Sequence, residues 1–412
     1  MNAKKYFPTA LALYFTYFIH GIGVSIIGQY KQDFASMWGA DKLADGTFDV
    51  SMVLAVIAAL GLGRLFTLPF AGPISDRFGR RLSALIGVAF YACYFIGLVF
   101  SPNMYVAYFF ALLGGAANSF LDTAVTPSVL EIFPKNGAIA NMFTKFSISI
   151  GQFILPFVIG MVAGANMSFK TIFIATCILI VIDGLIIAFL PFPPMNANVE
   201  KVATEAKKEK MRFSATSWAV IAIGFTCTAT FQLWLNCNQE LGALYGLSDP
   251  SKIQSFYSMG SMLAILVTAV LVKKWIMPVR VLIIYPTVAT IMLLIIYFVQ
   301  TPAICLIGGF VIGYAAAGGV LQLAVSTANE FFPANKGKIT SVVMIASSIS
   351  NYVILNIASY ITKAGGVDGP KYVLLFNVAI TVIGILLAIF VNMRYKKELE
   401  RTNPEAAKIQ FS

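Results

Sequence analysis

Five ionisable side chains stand inside stretches that are otherwise apolar: His20, Arg64, Asp122, Lys145 and Asp183. An ionised group in the hydrocarbon of a bilayer costs at least ~2.5–3.5 kcal/mol, so each needs a reason. Asp122 has the richest chemistry open to it. A carboxylate held in a dry cavity can take up and release a proton near neutral pH. Arg64 sits at a comparable depth and can pair with it, and the two roles overlap, because an arginine partner can be part of a switch. Arg64 and Lys145 can bind an anionic substrate or neutralise Asp122. Lys145 lies near the start of its stretch, where snorkelling to the surface is the alternative. His20, the single histidine, shares a helical face with Tyr17 and is a candidate to bind substrate, relay protons or pack by hydrogen bonding. Asp183 reads as structural or neutral.

Uncharged polar residues extend the set. The segment FQLWLNCNQE (231–240) is unusually polar, with Gln232 and Asn236 four residues apart on one face and Trp234 between them. Amides beside an aromatic plate suit a polyhydroxylated or carboxylated small molecule; Trp234 would equally fit an interfacial aromatic belt. Asn118, Gln152, Gln322 and Asn351 complete a candidate ring of hydrogen-bonding groups, although any one amide could simply tie two helices together. The five ionisable residues all belong to the first half of the chain, and the apolar stretches of the second half carry no acidic, basic or His residue in their interiors. One half is expected to handle charge while the other offers neutral hydrogen bonds.

The elements that must hold these residues are membrane spans. Of 412 residues 58% are hydrophobic and 11% charged, and the mean hydropathy is +0.82. A soluble domain runs near half apolar and a quarter charged. Apolar segments fall at about 8–28, 50–71, 82–101, 105–130, 138–165, 171–194, 213–239, 253–272, 281–300, 302–329, 339–362 and 372–393. Each reaches the ~20 residues that cross a bilayer, and backbone groups in lipid must be paired within the segment, so the twelve are helices. The first run is too long for a signal peptide and lacks a small-residue cleavage site. With the N-terminus inside, 21 of the 29 Lys and Arg fall on the cytoplasmic side and six outside, which predicts both termini in the cytoplasm. The net charge of +11 is therefore read as orientation and not as a nucleic-acid footprint. The five cysteines have no metal-ligand spacing and read as packing residues.

The longest polar segment, 195–214, contains EKVATEAKKEKMRF and reads as a cytoplasmic linker between residues 1–194 and 215–393, with 394–412 a cytoplasmic tail. The halves echo each other. VLEIFPKN (129–136) aligns with ANEFFPAN (328–335) at an offset of 199, pairing Glu131 with Glu330 and Pro134 with Pro333, and the same offset pairs Gln152 with Asn351. A repeat running the same way in both copies predicts two six-helix bundles related by an axis along the membrane normal.

Between the second and third spans stands GPISDRFGRRL (72–82). It closely resembles the loop signature of the major facilitator superfamily, G-x-x-x-D-R-x-G-R-[RK], and with twelve spans, linker and half-repeat the resemblance covers the whole chain. It implies the major facilitator fold, an all-α membrane protein of two six-helix bundles, working by alternating access around a central cavity. The matching Gly72, Asp76, Arg77, Gly79, Arg80 and Arg81 would then latch the cytoplasmic side in the outward-open state and would not bind substrate. The second-half loop VLVKKWIMPVR (270–280) has lost the Gly and Asp.

The core LDTAVTP (121–127) resembles the fourth helix of the fucose/galactose–proton symporter branch, which implies that Asp122 takes part in proton coupling. The expected function is secondary transport of a small polar solute, a sugar or small organic acid, by proton symport across the cytoplasmic membrane. The partners are then substrate, protons and lipid, with no nucleic acid, no metal and no cofactor beyond the proton gradient, and the chain acts as a monomer. Two alternatives stand beside this. A proton-driven exporter of drugs or amphiphiles would carry G-x-x-x-G-P-x-x-G-G in its fifth span, where this chain has SISIGQFILPFVIG (147–160). A sensor that kept the fold without transport would gain nothing from the cost of buried ionisable groups. No nucleotide-binding loop, metal set or nucleophile constellation points to an enzyme.

Overall fold

The computed structural model describes residues 3–133, 137–194, 211–404 and 407–408. Twelve long helical segments dominate it: α1 (Ala3–Gln29), α2 (Ser51–Phe78), α3 (Arg80–Val99), α4 (Met104–Ile132), α5 (Gly137–Gly164), α6 (Lys170–Phe189), α7 (Ala215–Leu244), α8 (Lys252–Lys274), α9 (Pro278–Val299), α10 (Pro302–Phe331), α11 (Lys336–Gly365) and α12 (Gly369–Thr402). Even the 20-residue α3 is about 30 Å long at 1.5 Å per residue, enough to cross hydrocarbon. Large apolar side chains stand exposed around the outside, Phe189, Phe298 and Met393 among them, as a chain solvated by lipid requires. Most of the linker (195–210), together with Pro134 and Lys135, lies outside the described residues.

Local sequence sets the ends and the breaks. Asn103 starts α4 by accepting from the backbone N–H groups of Tyr105 and Val106, each at 3.1 Å, and Ser214 starts α7 by accepting from Ser217 N–H at 3.1 Å. The boundary between α2 and α3 is Gly79 at φ +99°, a conformation that a residue with a Cβ resists. The hydropathy pattern implied one continuous helix at 302–329, but α10 is broken. Pro302–Ile312 runs into a π turn, Gly313–Ala317, and the helix restarts at Val320 after Gly319 at φ +108°. Two adjacent glycines remove the side chains that would hold the helix in register.

Helices α1–α6 pack chiefly among themselves, as do α7–α12, and the same crossings recur in both sets. In the first, a Cβ on Gly63 would meet Leu112 O at 2.1 Å, and one on Gly115 would meet Leu60 O at 2.1 Å, so α2 and α4 touch backbone to backbone. In the second, Gly260 and Gly313 do the same for α8 and α10, against Phe310 O and Tyr257 O at 2.0 Å each. These glycines lie 197 and 198 positions beyond the first pair, close to the offset of 199 between the sequence copies.

The halves meet through α2 against α11, α5 against α8 and α1 against α7, and the hydrogen bonds between these helices among the described residues gather at one end. All their termini and the 72–82 loop lie at one face of the membrane; the junction is at the other. Ser359 Oγ donates to Ser51 O at 2.7 Å, Ser255 Oγ to Phe153 O at 3.1 Å, and Gln239 Nε2 to Gln29 Oε1 at 2.7 Å. Along α2 the side chains are almost continuously buried from Val53 to Gly63, whereas Phe66 and Phe70 are each 65% exposed. The halves therefore diverge toward the face that carries the termini.

Candidate functional site

The α2–α4 crossing builds the centre of the site. Because Gly115 brings α4 onto the backbone of Leu60 and Arg64, Asp122, seven residues or two turns later, lies on the same face of α4 as Gly115 and within reach of the Arg64 side chain. Arg64 Nη2 donates to Asp122 Oδ2 at 2.7 Å. Ser119 Oγ ties the two helices again by donating to Arg64 O at 3.1 Å. From α1, Tyr17 donates its hydroxyl to Asp122 Oδ1 at 2.6 Å. Each carboxylate oxygen thus has one donor, and charge-assisted bonds of this kind are the strong ones. The pair is not sealed: the side chains of Arg64 and Asp122 keep 17% and 26% exposure, on the side where the halves diverge.

Around this pair the other sequence candidates separate into those that approach it and those that do not. Lys145 stands eight residues into α5, about 12 Å along the axis. It is partly buried and close enough for its charge to act on both Asp122 and Arg64, so it does not snorkel away. His20, a candidate for the cavity or for hydrogen-bonded packing, is turned into its own bundle. It is 7% exposed, its Nδ1 is hydrogen-bonded to the Tyr91 hydroxyl of α3, and its ring contacts those of Tyr17 and Tyr91. It backs the Tyr17–Asp122 contact and offers no surface for a substrate. Asp183 accepts from Thr16 Oγ1 at 2.5 Å, joining α6 to α1 away from the pair.

The amides form a roof more than a ring. Gln152 Nε2 donates to Ser25 Oγ at 3.1 Å within the first half, and Gln254 Nε2 reaches the same oxygen from α8 at 3.5 Å. Asn236 Nδ2 donates to Gln232 Oε1 at 2.9 Å, so these two pair along α7. Asn351 lies where α11 crosses Gly61 of α2, its Cβ 2.9 Å from where a Cβ on Gly61 would be. Asn118 is partly buried and Gln322 exposed on the restarted part of α10, and neither has a hydrogen bond among the described residues. Trp234 is neither plate nor belt: it is 2% exposed and packs toward Gly308 of α10.

One pairing had no counterpart among the sequence candidates. Lys31, in a short helix (Lys31–Met37) after α1, is only 1% exposed. Its ammonium donates to the backbone carbonyl of Asn236 and forms an ion pair with Glu240 at 2.6 Å. This corrects the expectation that α7–α12 hold no charge in their interiors, because α7 runs on to Leu244 and carries Glu240 inside it. The signal available was the Glu at the end of the polar run 231–240; its partner lies 209 positions away.

The loop motif keeps its contacts within the first half. Arg80 Nη1 donates to Asp76 Oδ1 at 2.5 Å and Ser75 Oγ at 2.9 Å, and its Nε lies 3.6 Å from Glu131. Arg81 donates to Leu190 O at 2.6 Å, and the Arg77 guanidinium lies over the Phe78 ring. Gly72 has open space around it.

Comparison with known proteins agrees with this geometry. The family model of the Major Facilitator Superfamily matches residues 10–351. The inner membrane transport protein YdiM of Escherichia coli (strain K12) is 33% identical over 402 residues, 96% of each chain, and the MFS-type transporter YfkL of Bacillus subtilis (strain 168) is 31% identical over 399 residues, 94% of this chain and 97% of its own. A crystal structure of a D-xylose-proton symporter superposes with a TM-score of 0.75 at 15% identity, covering 94% of this chain and 97% of that one. With twelve long apolar helices among the described residues, a half-repeat in its crossings and a match to the family across most of its length, the chain belongs to the Major Facilitator Superfamily and is a multi-pass membrane transporter of that family.

Proposed function

We propose that the chain is a proton symporter that carries a small polar solute, a sugar or small organic acid, across the cytoplasmic membrane, with both termini in the cytoplasm. The observation that carries this reading is the Arg64–Asp122–Tyr17 constellation: a carboxylate at mid-membrane depth, held by one cation and one hydroxyl, and partly open to the space between the halves. Ionised, Asp122 holds Arg64. Protonated, it loses the charge-assisted bond and frees the guanidinium, which then needs another acceptor, because an unpaired charge in this environment is costly. A solute that supplies the acceptor couples its own binding to proton uptake. With the termini in the cytoplasm, the closed face is the outer one and the arrangement is inward-facing.

The test is proteoliposome uptake of a panel of sugars and small organic acids under an imposed pH gradient. Asp122→Asn is expected to abolish accumulation while leaving counterflow exchange, since the amide oxygen can still accept from Arg64, with its NH2 turned toward the Tyr17 hydroxyl, but the side chain cannot cycle a proton. Full gradient-driven accumulation by Asp122→Asn would refute the coupling role.

A further inference from the structure

The central cluster does not balance its charge. Arg64 and Lys145 bring two cations to one carboxylate, Asp122. Asp183 is engaged by Thr16 and Glu240 by Lys31, so neither takes part in the cluster; His20 adds no negative charge. Arg64 spends one nitrogen on Asp122, and its Nε is buried with no hydrogen-bond partner. Lys145 has neither ion pair nor hydrogen bond among the described residues. Arg64 thus keeps a nitrogen free for a second acceptor, as a two-pronged group would supply, and the unpartnered Lys145 ammonium stands within electrostatic reach of it. Ionisable groups at membrane depth are costly, and those that keep no partner mark a substrate or ion pathway.

We infer that the transported solute carries a carboxylate, which seats between Lys145 and the free edge of Arg64 and displaces Asp122 from Arg64 as it binds. A neutral sugar has no group that would compensate Lys145. This assignment rests on the symporter reading for the site's place in the transport cycle; the charge argument itself holds for any direction of transport. It also divides the labour of the two cations. Lys145 is a specificity residue that touches the substrate in every loaded state. Arg64 exchanges between Asp122 and the solute.

The experiment uses matched probes on the purified full chain in detergent. Gluconate is compared with glucose, and lactate with propylene glycol, each at equal ionic strength, with thermal unfolding as the readout, since a ligand that binds the folded state stabilises it by mass action. The acids are expected to stabilise the protein and their neutral counterparts not. Lys145→Gln should weaken the acid response by roughly 10- to 100-fold in apparent affinity, the loss of one hydrogen bond to a charged group, and Lys145→Arg should restore most of it. Stabilisation by the neutral compounds, absence of any preference for the acids, or an acid response unchanged in Lys145→Gln each overturns the assignment. Because binding is read without a gradient, failure here leaves the symporter reading to the Asp122→Asn flux test. Gradient-insensitive uptake of a bound acid would instead refute symport and leave the anion site standing.

Discussion

The Lys31–Glu240 pair makes the sharpest prediction about the transport cycle, because it joins the two halves and is made only while the face opposite the termini is closed. In the closed form Lys31 is 1% exposed and the Glu240 side chain 17%, and the Asn236 carbonyl takes a further ammonium proton. Glu240→Gln keeps the shape and an acceptor but leaves the ammonium buried without a counter-charge. Removing one partner of a buried pair costs about 3–5 kcal/mol; Glu240 retains some solvent contact, which argues for the lower end. When the face opens, both groups return to water and the penalty vanishes, so the whole cost falls on the closed form. At 1.4 kcal/mol per tenfold, about 3 kcal/mol shifts the equilibrium toward opening by roughly 100-fold, turning a closed population of about 99% into about one half. Spin labels at Asp41 and Ser248, exposed on opposite halves at that face, read this by double electron–electron resonance as a second, longer distance. Lys31→Met with Glu240→Leu removes both charges, and replacing a buried pair by apolar groups is often neutral, so the double variant should close again. A Glu240→Gln distribution that matches the wild type, or a double variant more open than the single one, would refute the reasoning.

Other outcomes follow from the same geometry. Asp183→Asn keeps the side chain's shape and an acceptor for Thr16 Oγ1, away from the Arg64–Asp122 pair, and should leave uptake within about twofold of wild type; proton dependence lost in this variant would move the coupling site to α6. Gly79→Ala forces a Cβ into a backbone conformation at φ +99° at a cost of order 1–3 kcal/mol, seen as a lower unfolding temperature; an unchanged one would mean that the α2–α3 turn relaxes freely. Gly151→Ala would place its Cβ 2.1 Å from Phe18 O across the α1–α5 crossing, and is expected to lower the yield of folded protein, checked by size-exclusion chromatography. A periplasmic-active phosphatase fused after Ser412 should be silent if the tail is cytoplasmic, and activity would reverse the assigned orientation.

What the sequence made legible was what is local. Span positions follow from runs of ~20 apolar residues, and the 72–82 motif needs only neighbouring positions. Asp122 and Arg64 were visible as the costly residues of α4 and α2, though nothing in their spacing shows Tyr17 completing the pair from α1. The misses come from pairing between distant segments and from the length of α7. Lys31 and Glu240 each look like ordinary charges near a helix end, and only the junction of the halves makes them one buried unit. Periodicity leaves His20 between a cavity role and packing, because it fixes which residues share a face, not which neighbour that face meets; its face meets Tyr91. Trp234 was read as lying near a span end, but α7 extends to Leu244, placing the indole in the middle of a helix against α10. The break in α10 was announced by Gly318–Gly319, a pair that also serves close packing, and composition alone does not separate the two uses.

The closed face is also less favourable than its ion pair suggests, and this bears on how the transporter can move at all. Four amide oxygens there or beside it, on Asn236, Asn238, Gln254 and Asn351, are buried without a donor. Each such acceptor costs about 1–3 kcal/mol relative to one that reaches water, so together they are of the same order as the gain from Lys31 with Glu240 and the inter-half hydrogen bonds. Opening would hydrate the oxygens and release the pair in the same motion. A carrier must keep its two arrangements within a few kcal/mol so that solute and proton binding can reverse their order. A roof built wholly of satisfied contacts would hold one state too firmly. On this argument the polar run 231–240 is retained for balance: it supplies Glu240 to close the face and unpaired amides to keep the closure reversible, while substrate charge is recognised by Arg64 and Lys145 in the other half.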